Sequence, residues 1–335
     1  MSSKFYDGQM GFLALINALV LIASWFLVGP KFVGLYNMQS MATQVSELGL
    51  LALGVMLAMA AGRGGIDLSG IALANLSGVI AFMLTPLITT AQEAPLLYCW
   101  TFAGISLVVG FLGGAVNGAL VGYAGLTPII ATLGTQMAFT GIAVGLTGGS
   151  ALRLGYIPPL DDFANMPFMG VPISFALFVG VALVLALMLR YTSYGMRLFL
   201  LGSNDLAARY SGIPVRRMYF MTYTIAGMLA SLAGVIIAAR TSSIKWDYGS
   251  SYVMVAILIA VMAGVKPEGG YGRVICVLMS AFALQVMSSL FNFMHLSNFF
   301  RDSAWGLLLL LFLAASRVDL TTYLHFRHPA VPKKA

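Results

Sequence analysis

Two carboxylates of this chain stand in apolar surroundings, where an ionisable group is costly and is by default a candidate for function. Glu47 falls inside the apolar run at 44–62, and Asp67 follows Gly62, Gly64 and Gly65 in the stretch AAGRGGIDLSG at 60–70. An ion-driven transporter would use either acid as a titrating relay. Without such a role, Glu47 reads as an acid near the outer membrane boundary that reaches water. The three glycines let the backbone leave helical geometry, and unwound backbone at membrane depth persists only where protein or a water-filled cavity satisfies it. Asp67 and Ser69 are then placed to cap the next helix. The stretch is therefore either a tight turn with an N-cap or a discontinuous helix beside a pathway. A second break, MAGVKPEGGYG at 262–272, carries Gly269 and Gly270, with Lys266 in place of Arg63. Two such breaks are the trace an internal repeat would leave.

Several other chemistries are set aside. There is no GxxxxGK[ST] phosphate loop, no HExxH and no CxxC, and the three histidines (His295, His325, His328) fall in a loop or the tail. Asp161-Asp162 sits in a proline-rich loop without a second acidic cluster and reads as a solvated turn rather than a metal site. Cys99 and Cys276 lie far apart in apolar segments, as small buried hydrophobes do. No catalytic residue, resident metal or bound cofactor is expected. The remaining polar residues in or at the ends of apolar runs are Asn75, Asn117, Gln136, Gln285 and Asn292.

The elements that must hold these residues follow from composition. Of 335 residues, 60% are hydrophobic and 9% charged, against about 45–50% and 25% in soluble domains. The expected fold is an all-α polytopic membrane protein forming one transmembrane domain over 1–335. At about 20 apolar residues per span, ten spans fall near 11–29, 44–62, 69–90, 96–122, 128–147, 172–189, 218–238, 251–265, 274–292 and 303–315. The eighth and tenth are short enough to be tilted, re-entrant or broken. The first span lacks a small-residue cleavage site and reads as uncleaved. With the N-terminus in the cytoplasm, thirteen of the eighteen Lys and Arg residues face inward, which places both termini inside and makes 316–335 a cytoplasmic tail. The net charge of +7 is scattered over short loops and forms no nucleic-acid-binding face. The pairs and single glycines of the fourth span, Gly113-Gly114 and Gly118, read as sites of close helix packing.

Residues 190–217, RYTSYGMRLFLLGSNDLAARYSGIPVRR, hold five of those eighteen basic residues between two long apolar runs. Ser203 or Asn204 can cap a short helix, Asp205 lies in its first turn, Arg209 near its far end, and Gly212 and Pro214 stop it. A short, capped, charged helix at a membrane face has the character of a docking element.

At these residues the chain resembles the permease subunits of bacterial ATP-binding-cassette importers of the ribose type. The matching pieces are GGIDLS (64–69), VNGALVGYAGLTPIIATLGTQMAFTGIA (116–143), YGMRLFLLGSNDLAARYSGIPVRR (194–217) and GGYGR (269–273), in the family's order. The chain departs from the family with Gly70-Ile71-Ala72 after GGIDLS, and with no glycine between Gly272 and Gly306. The resemblance implies a coupling helix that includes Asn204, Asp205, Ala207, Ala208, Arg209, Ser211 and Gly212. It further implies a separate cytoplasmic ATPase subunit that holds ATP and Mg, a second permease copy, a periplasmic substrate-binding protein, and a place in the lipid of the bacterial inner membrane. Asp67, Ser69, Asn117, Thr132 and Gln136 are the residues expected along the pathway of a small hydroxylated solute, with Gly62, Gly64, Gly65, Gly269 and Gly270 as helix breaks. The competing expectations are an ion-gradient transporter and an intramembrane enzyme acting on lipid.

Overall fold

The computed structural model describes residues 3–168 and 170–317. The tail expected at 316–335 lies outside them except for its first two residues, which end a helix. Thirteen α-helices run in order: α1 (Ser3–Val28), α2 (Leu35–Ala60), α3 (Gly70–Leu84), α4 (Pro95–Gly122), α5 (Pro128–Thr147), α6 (Pro158–Asn165), α7 (Ile173–Tyr191), α8 (Ser193–Ser203), α9 (Asp205–Tyr210), α10 (Val215–Thr241), α11 (Tyr252–Met262), α12 (Val274–Phe293) and α13 (Asn298–Arg317). Eight of them are long and apolar enough to cross a membrane: α1 (from Gly8), α2, α3 with the 3-10 turn that ends at Leu87, α4, α5, α7, α10 and α12. The strands are two-residue ribbons, Leu152–Arg153 paired with Ser243–Ile244 and Pro167–Phe168 paired with Val171–Pro172.

Among the described residues these eight and the shorter apolar helix α11 stand where ten spans are expected, and several differ from expectation for physical reasons. The second helix begins at Leu35, nine residues before the hydropathy boundary. Its first turns carry Asn37, Gln39, Ser40 and Gln44, which look like loop. They are helical because α12 supplies partners: Ser289 Oγ donates to Asn37 Oδ1 at 3.0 Å and Gln285 Nε2 to Gln44 Oε1 at 3.2 Å. The third helix stops at Leu84 because Pro86 cannot donate, and Thr85–Leu87 tightens into a 3-10 turn. Asp161 and Asp162 sit in the helix α6, not in a turn, with Pro158 and Pro159 opening it. The tenth segment is a 20-residue helix, longer than expected.

The eighth segment is a half-helix. At 11 residues α11 covers about 16 Å, roughly half of a 30 Å hydrocarbon core. The chain before it, 242–251, is non-helical and includes the short ribbon strand Ser243–Ile244. Asn75 of α3 satisfies that chain's backbone, its Nδ2 donating to the carbonyls of Trp246 (3.1 Å) and Tyr248 (2.9 Å). The other end of α11 is held by Gln9 of α1, whose Nε2 donates to Met262 O at 2.7 Å.

The core is centred on α2, which is buried along its length from Thr43 to Ala60 except at Gln44. Around it pack α10, α11, α12 and α7. By contrast α1, α4, α5 and α7 present much of their apolar surface outward, as helices facing lipid or another chain do. Lipid provides no hydrophobic force between helices, so they are held by close van der Waals packing. The α4–α10 contact shows this directly. Gly110, Gly114, Gly118 and Gly122 form a stripe at four-residue spacing, and a Cβ on any of them would fall 2.1–2.6 Å from an atom of α10, for three of them a backbone carbonyl oxygen.

Gly114→Val is therefore expected to destabilise the folded protein by about 1–3 kcal/mol, the usual cost of overpacking. A thermal unfolding curve in detergent micelles should show a lower midpoint, whereas Gly104→Val, with nothing near its Cβ position, should leave the midpoint unchanged.

Candidate functional site

The two glycine breaks, about 200 residues apart in sequence, meet at one end of α2. Gly64 N–H donates to Pro267 O and Gly270 N–H to Ala60 O, both at 3.0 Å. Gly202, the penultimate residue of α8, is wedged between them. A Cβ there would lie 2.0 Å from Ala60 O and 2.3 Å from Gly270 N, and one on Gly269 would lie 2.4 Å from Gly62 Cα. Only residues without side chains let three backbones approach this closely. Gly62, Gly64, Gly269 and Gly270 also all have positive φ, as does Arg63 at +60° between them.

Residues 204–212 leave this junction directly. Asn204 caps α9, its Oδ1 accepting from Ala207 N–H at 2.9 Å, and Gly212 at φ +76° ends the turn after it. Asp205 faces back, bonded to Arg63 of the first break, with Arg209 Nη2 at 3.5 Å. The Arg63 guanidinium also lies over the ring of Tyr219, 5.3 Å from its centroid, and the Tyr219 hydroxyl donates to Ala61 O at 3.3 Å. Ala208 is buried, whereas Asn204, Ala207, Arg209, Ser211 and Gly212 are exposed. So are two residues the sequence reading passed over, Leu206 at 62% and Tyr210 at 85% exposure. They sit four apart, on one face of the short helix. Two bare apolar side chains on a polar loop were the available signal.

The residues expected along a pathway lie next to the first break, and four of them form one buried network. Asp67 Oδ1 accepts from both the N–H (2.9 Å) and the hydroxyl (2.7 Å) of Ser69. Asn117 Nδ2 of α4 donates to Ser69 Oγ at 2.7 Å, and its Oδ1 accepts from Thr135 of α5 at 2.6 Å. Thr132 Oγ1 accepts from Leu68 N–H at 3.2 Å and lies 3.1 Å from Ile66 O. Gln136 is half-buried one position beyond Thr135, outside this network. Neither Asp67 nor Ser69 caps the following helix with its side chain. Asp67 instead accepts both hydrogen bonds from Ser69. Burial pushes its carboxyl above the usual range, and those two hydrogen bonds pull it part of the way back.

Glu47 does not reach water. It is fully buried in α2, about 18 Å from the helix start at 1.5 Å per residue. Arg240, in the last turn of α10, grips it with two bonds, Nη2 to Oε1 at 3.0 Å and Nε to Oε2 at 3.3 Å. The Tyr252 hydroxyl of α11 donates to Oε1 at 2.9 Å, and Tyr248 bonds the guanidinium. The pairing of Arg240 with Glu47 is not legible in the sequence, because 193 residues separate the two charges.

Residues 37–315 match the family model described as branched-chain amino acid transport system / permease component. The chain is 31% identical to the ribose import permease protein RbsC of Escherichia coli strain K12 over 301 residues, covering 89% of this chain and 91% of that protein. It is 30% identical to RbsC of Bacillus subtilis strain 168 over 317 residues, covering 91% and 92%. The autoinducer 2 import system permease protein LsrD of Photorhabdus laumondii is 35% identical over 176 residues, about half of each chain. No solved structure matches.

Removing one partner of a buried ion pair leaves the other charge uncompensated and costs about 3–5 kcal/mol. Glu47→Ala should accordingly lower the thermal midpoint sharply. A double variant, Glu47→Met with Arg240→Met, should recover most of the loss, because it buries no unpaired charge.

Proposed function

Because this chain belongs to the family of permease components of branched-chain amino acid transport systems, we propose that it is the transmembrane permease subunit of an ATP-binding-cassette importer in the bacterial inner membrane. Its cargo is a monosaccharide or a similar small polyhydroxylated solute, a reading supported by the full-length similarity to permeases named for ribose import. It has no catalytic site of its own. ATP and Mg are held by a separate cytoplasmic ATPase subunit, a second permease copy completes the membrane unit, and a periplasmic binding protein delivers the solute. Both termini are cytoplasmic, consistent with the exposed arginines 190, 197, 209, 216 and 217 on the face that carries α9.

One observation carries the mechanism: the exposed helix α9 is bonded to the first helix break through Asp205 and Arg63, and Gly202, just before it, is packed against both breaks. Asn204, Asp205, Ala207, Ala208, Arg209, Ser211 and Gly212 form the coupling element, with Leu206 and Tyr210 as the apolar pair that seats in a cleft of the ATPase. Closure of that cleft displaces α9. Gly202 and the Arg63–Asp205 pair pass the displacement to the α2–α3 and α11–α12 junctions. Asp67, Ser69, Asn117, Thr132 and Gln136 line the pathway side of the first junction. The hydrogen bonds among Asp67, Ser69, Asn117, Thr132 and Thr135 make the first break, α4 and α5 respond together.

The test is to assemble the chain with its ATPase and permease partners and measure ATP hydrolysis and solute uptake with and without the binding protein. Arg63→Asp should cut uptake at least tenfold while the complex stays assembled, and adding Asp205→Arg should restore much of it by re-forming the pair with reversed charge. If uptake follows an ion gradient and persists without ATP hydrolysis, the importer reading is wrong and the ion-driven transporter takes its place.

A further inference from the structure

A polar cavity of about 310 Å³ opens at the end of α2 opposite the glycine junction. That volume is at the lower edge of the range of small-molecule sites, about 300–1,000 Å³. Its lining includes Tyr36, Gln39, Ser40 and Gln44 from α2, Asn165 from α6 and Arg240 from α10. Arg240 is the one charged residue among them, and its charge is cancelled by Glu47, which lies beneath it on α2. The cavity is therefore rich in hydrogen-bonding groups and has no net charge.

The hydrogen-bond pattern leaves both polarities available. Gln44 Nε2 donates to Ser40 Oγ at 3.0 Å, Gln39 Nε2 to Gly170 O at 3.3 Å, and Asn165 Nδ2 to Asp161 Oδ1 at 2.8 Å. Among the described residues, the amide oxygens of Gln39 and Asn165 remain open as acceptors and Arg240 Nη1 as a donor, since Nε and Nη2 are taken by Glu47 and Tyr248. At the rim Tyr36 is 87% exposed and offers an aromatic face.

We propose that this cavity is the solute's entry site on the outer face, and that it selects a neutral polyhydroxylated molecule. Resting on the transport reading above, this names residues and a charge rule that the reading does not contain. Hydroxyl groups both donate and accept, matching the open amide oxygens and the Arg240 N–H groups. A free amino acid carries an ammonium and a carboxylate and would need two uncompensated opposite charges. A sugar phosphate would need an uncompensated cation. The cavity supplies neither, because its arginine is already neutralised.

The experiment places one reactive thiol at the cavity, Ser40→Cys with Cys99→Ser and Cys276→Ser, in the assembled importer in membrane vesicles. The rate of labelling by a small, membrane-impermeant methanethiosulfonate is measured with D-ribose, D-xylose, D-galactose, L-leucine or ribose 5-phosphate at 100 mM, about the scale for a weak site. At least one neutral sugar is expected to slow labelling twofold or more, whereas leucine and the phosphate ester should not. Adding Asn165→Ala or Gln39→Ala should abolish the protection without changing the ligand-free rate. If no sugar protects, or if leucine or the phosphate ester protects equally, the cavity assignment is overturned. ATP-driven uptake by the same vesicles separates the two failures. Sugar uptake without protection leaves the transport reading standing, and loss of ATP dependence overturns that reading whatever the labelling shows.

Discussion

Three stretches of backbone pass within atomic contact where Gly62, Gly202 and Gly269 meet, and the arrangement of this chain depends on that contact. Each glycine belongs to a different part of the protein: the break between α2 and α3, the end of α8, and the break between α11 and α12. A side chain on any of the three would force the backbones apart, since the atoms it would meet are main-chain atoms with no freedom to swing aside. The junction satisfies part of the unwound backbone of both breaks, through Gly64 with Pro267 and Gly270 with Ala60. That is the condition under which broken helices are tolerated in a membrane.

The charged groups divide between the two ends of α2 in keeping with their surroundings. At the junction, Arg63 and Asp205 form a partly exposed pair that ties α9 to the first break. Such a pair is worth little as stability but fixes an orientation. Toward the other end, Glu47 is fully buried and Arg240 partly so, with Tyr252 bonded to the carboxylate and Tyr248 to the guanidinium. A buried pair of this kind adds little net stability over a well-packed apolar one. Here it joins α2, α10 and the start of α11, and it neutralises the floor of the cavity at that end of α2. In the proposed importer, one end of α2 receives motion and the other receives solute.

Hydropathy made most of the fold legible. The spans expected at 96–122, 128–147 and 274–292 agree with α4, α5 and α12 to within one residue at each end. It failed where polar side chains belong to a helix because of a partner elsewhere. The first turns of α2 are the clearest case, since Asn37 and Gln44 look like loop until Ser289 and Gln285 of α12 are seen to bond them. The half-helix α11 was legible as a short segment. The course of residues 242–251 before it was not, because it relies on Asn75 from another helix. In the candidate site, residue types pointed to Asp67, Ser69, Asn117 and Thr132 as a group. No spacing rule could pair Arg63 with Asp205 or Arg240 with Glu47, because those contacts are created by helix packing.

In the proposed importer, α9 and the first glycine break move as one body when the partner ATPase closes. The most direct measurement joins them covalently: Arg63→Cys and Asp205→Cys, in a background with Cys99→Ser and Cys276→Ser, bridged by a short thiol-specific linker in the assembled importer. ATP-driven uptake is then compared before and after reductive release of the linker. Readily measurable uptake in the linked state, no lower than after release, is the result expected of a rigid connection. Uptake that is blocked by the linker and recovered on release would mean that the helix and the break separate during the cycle, contradicting the account.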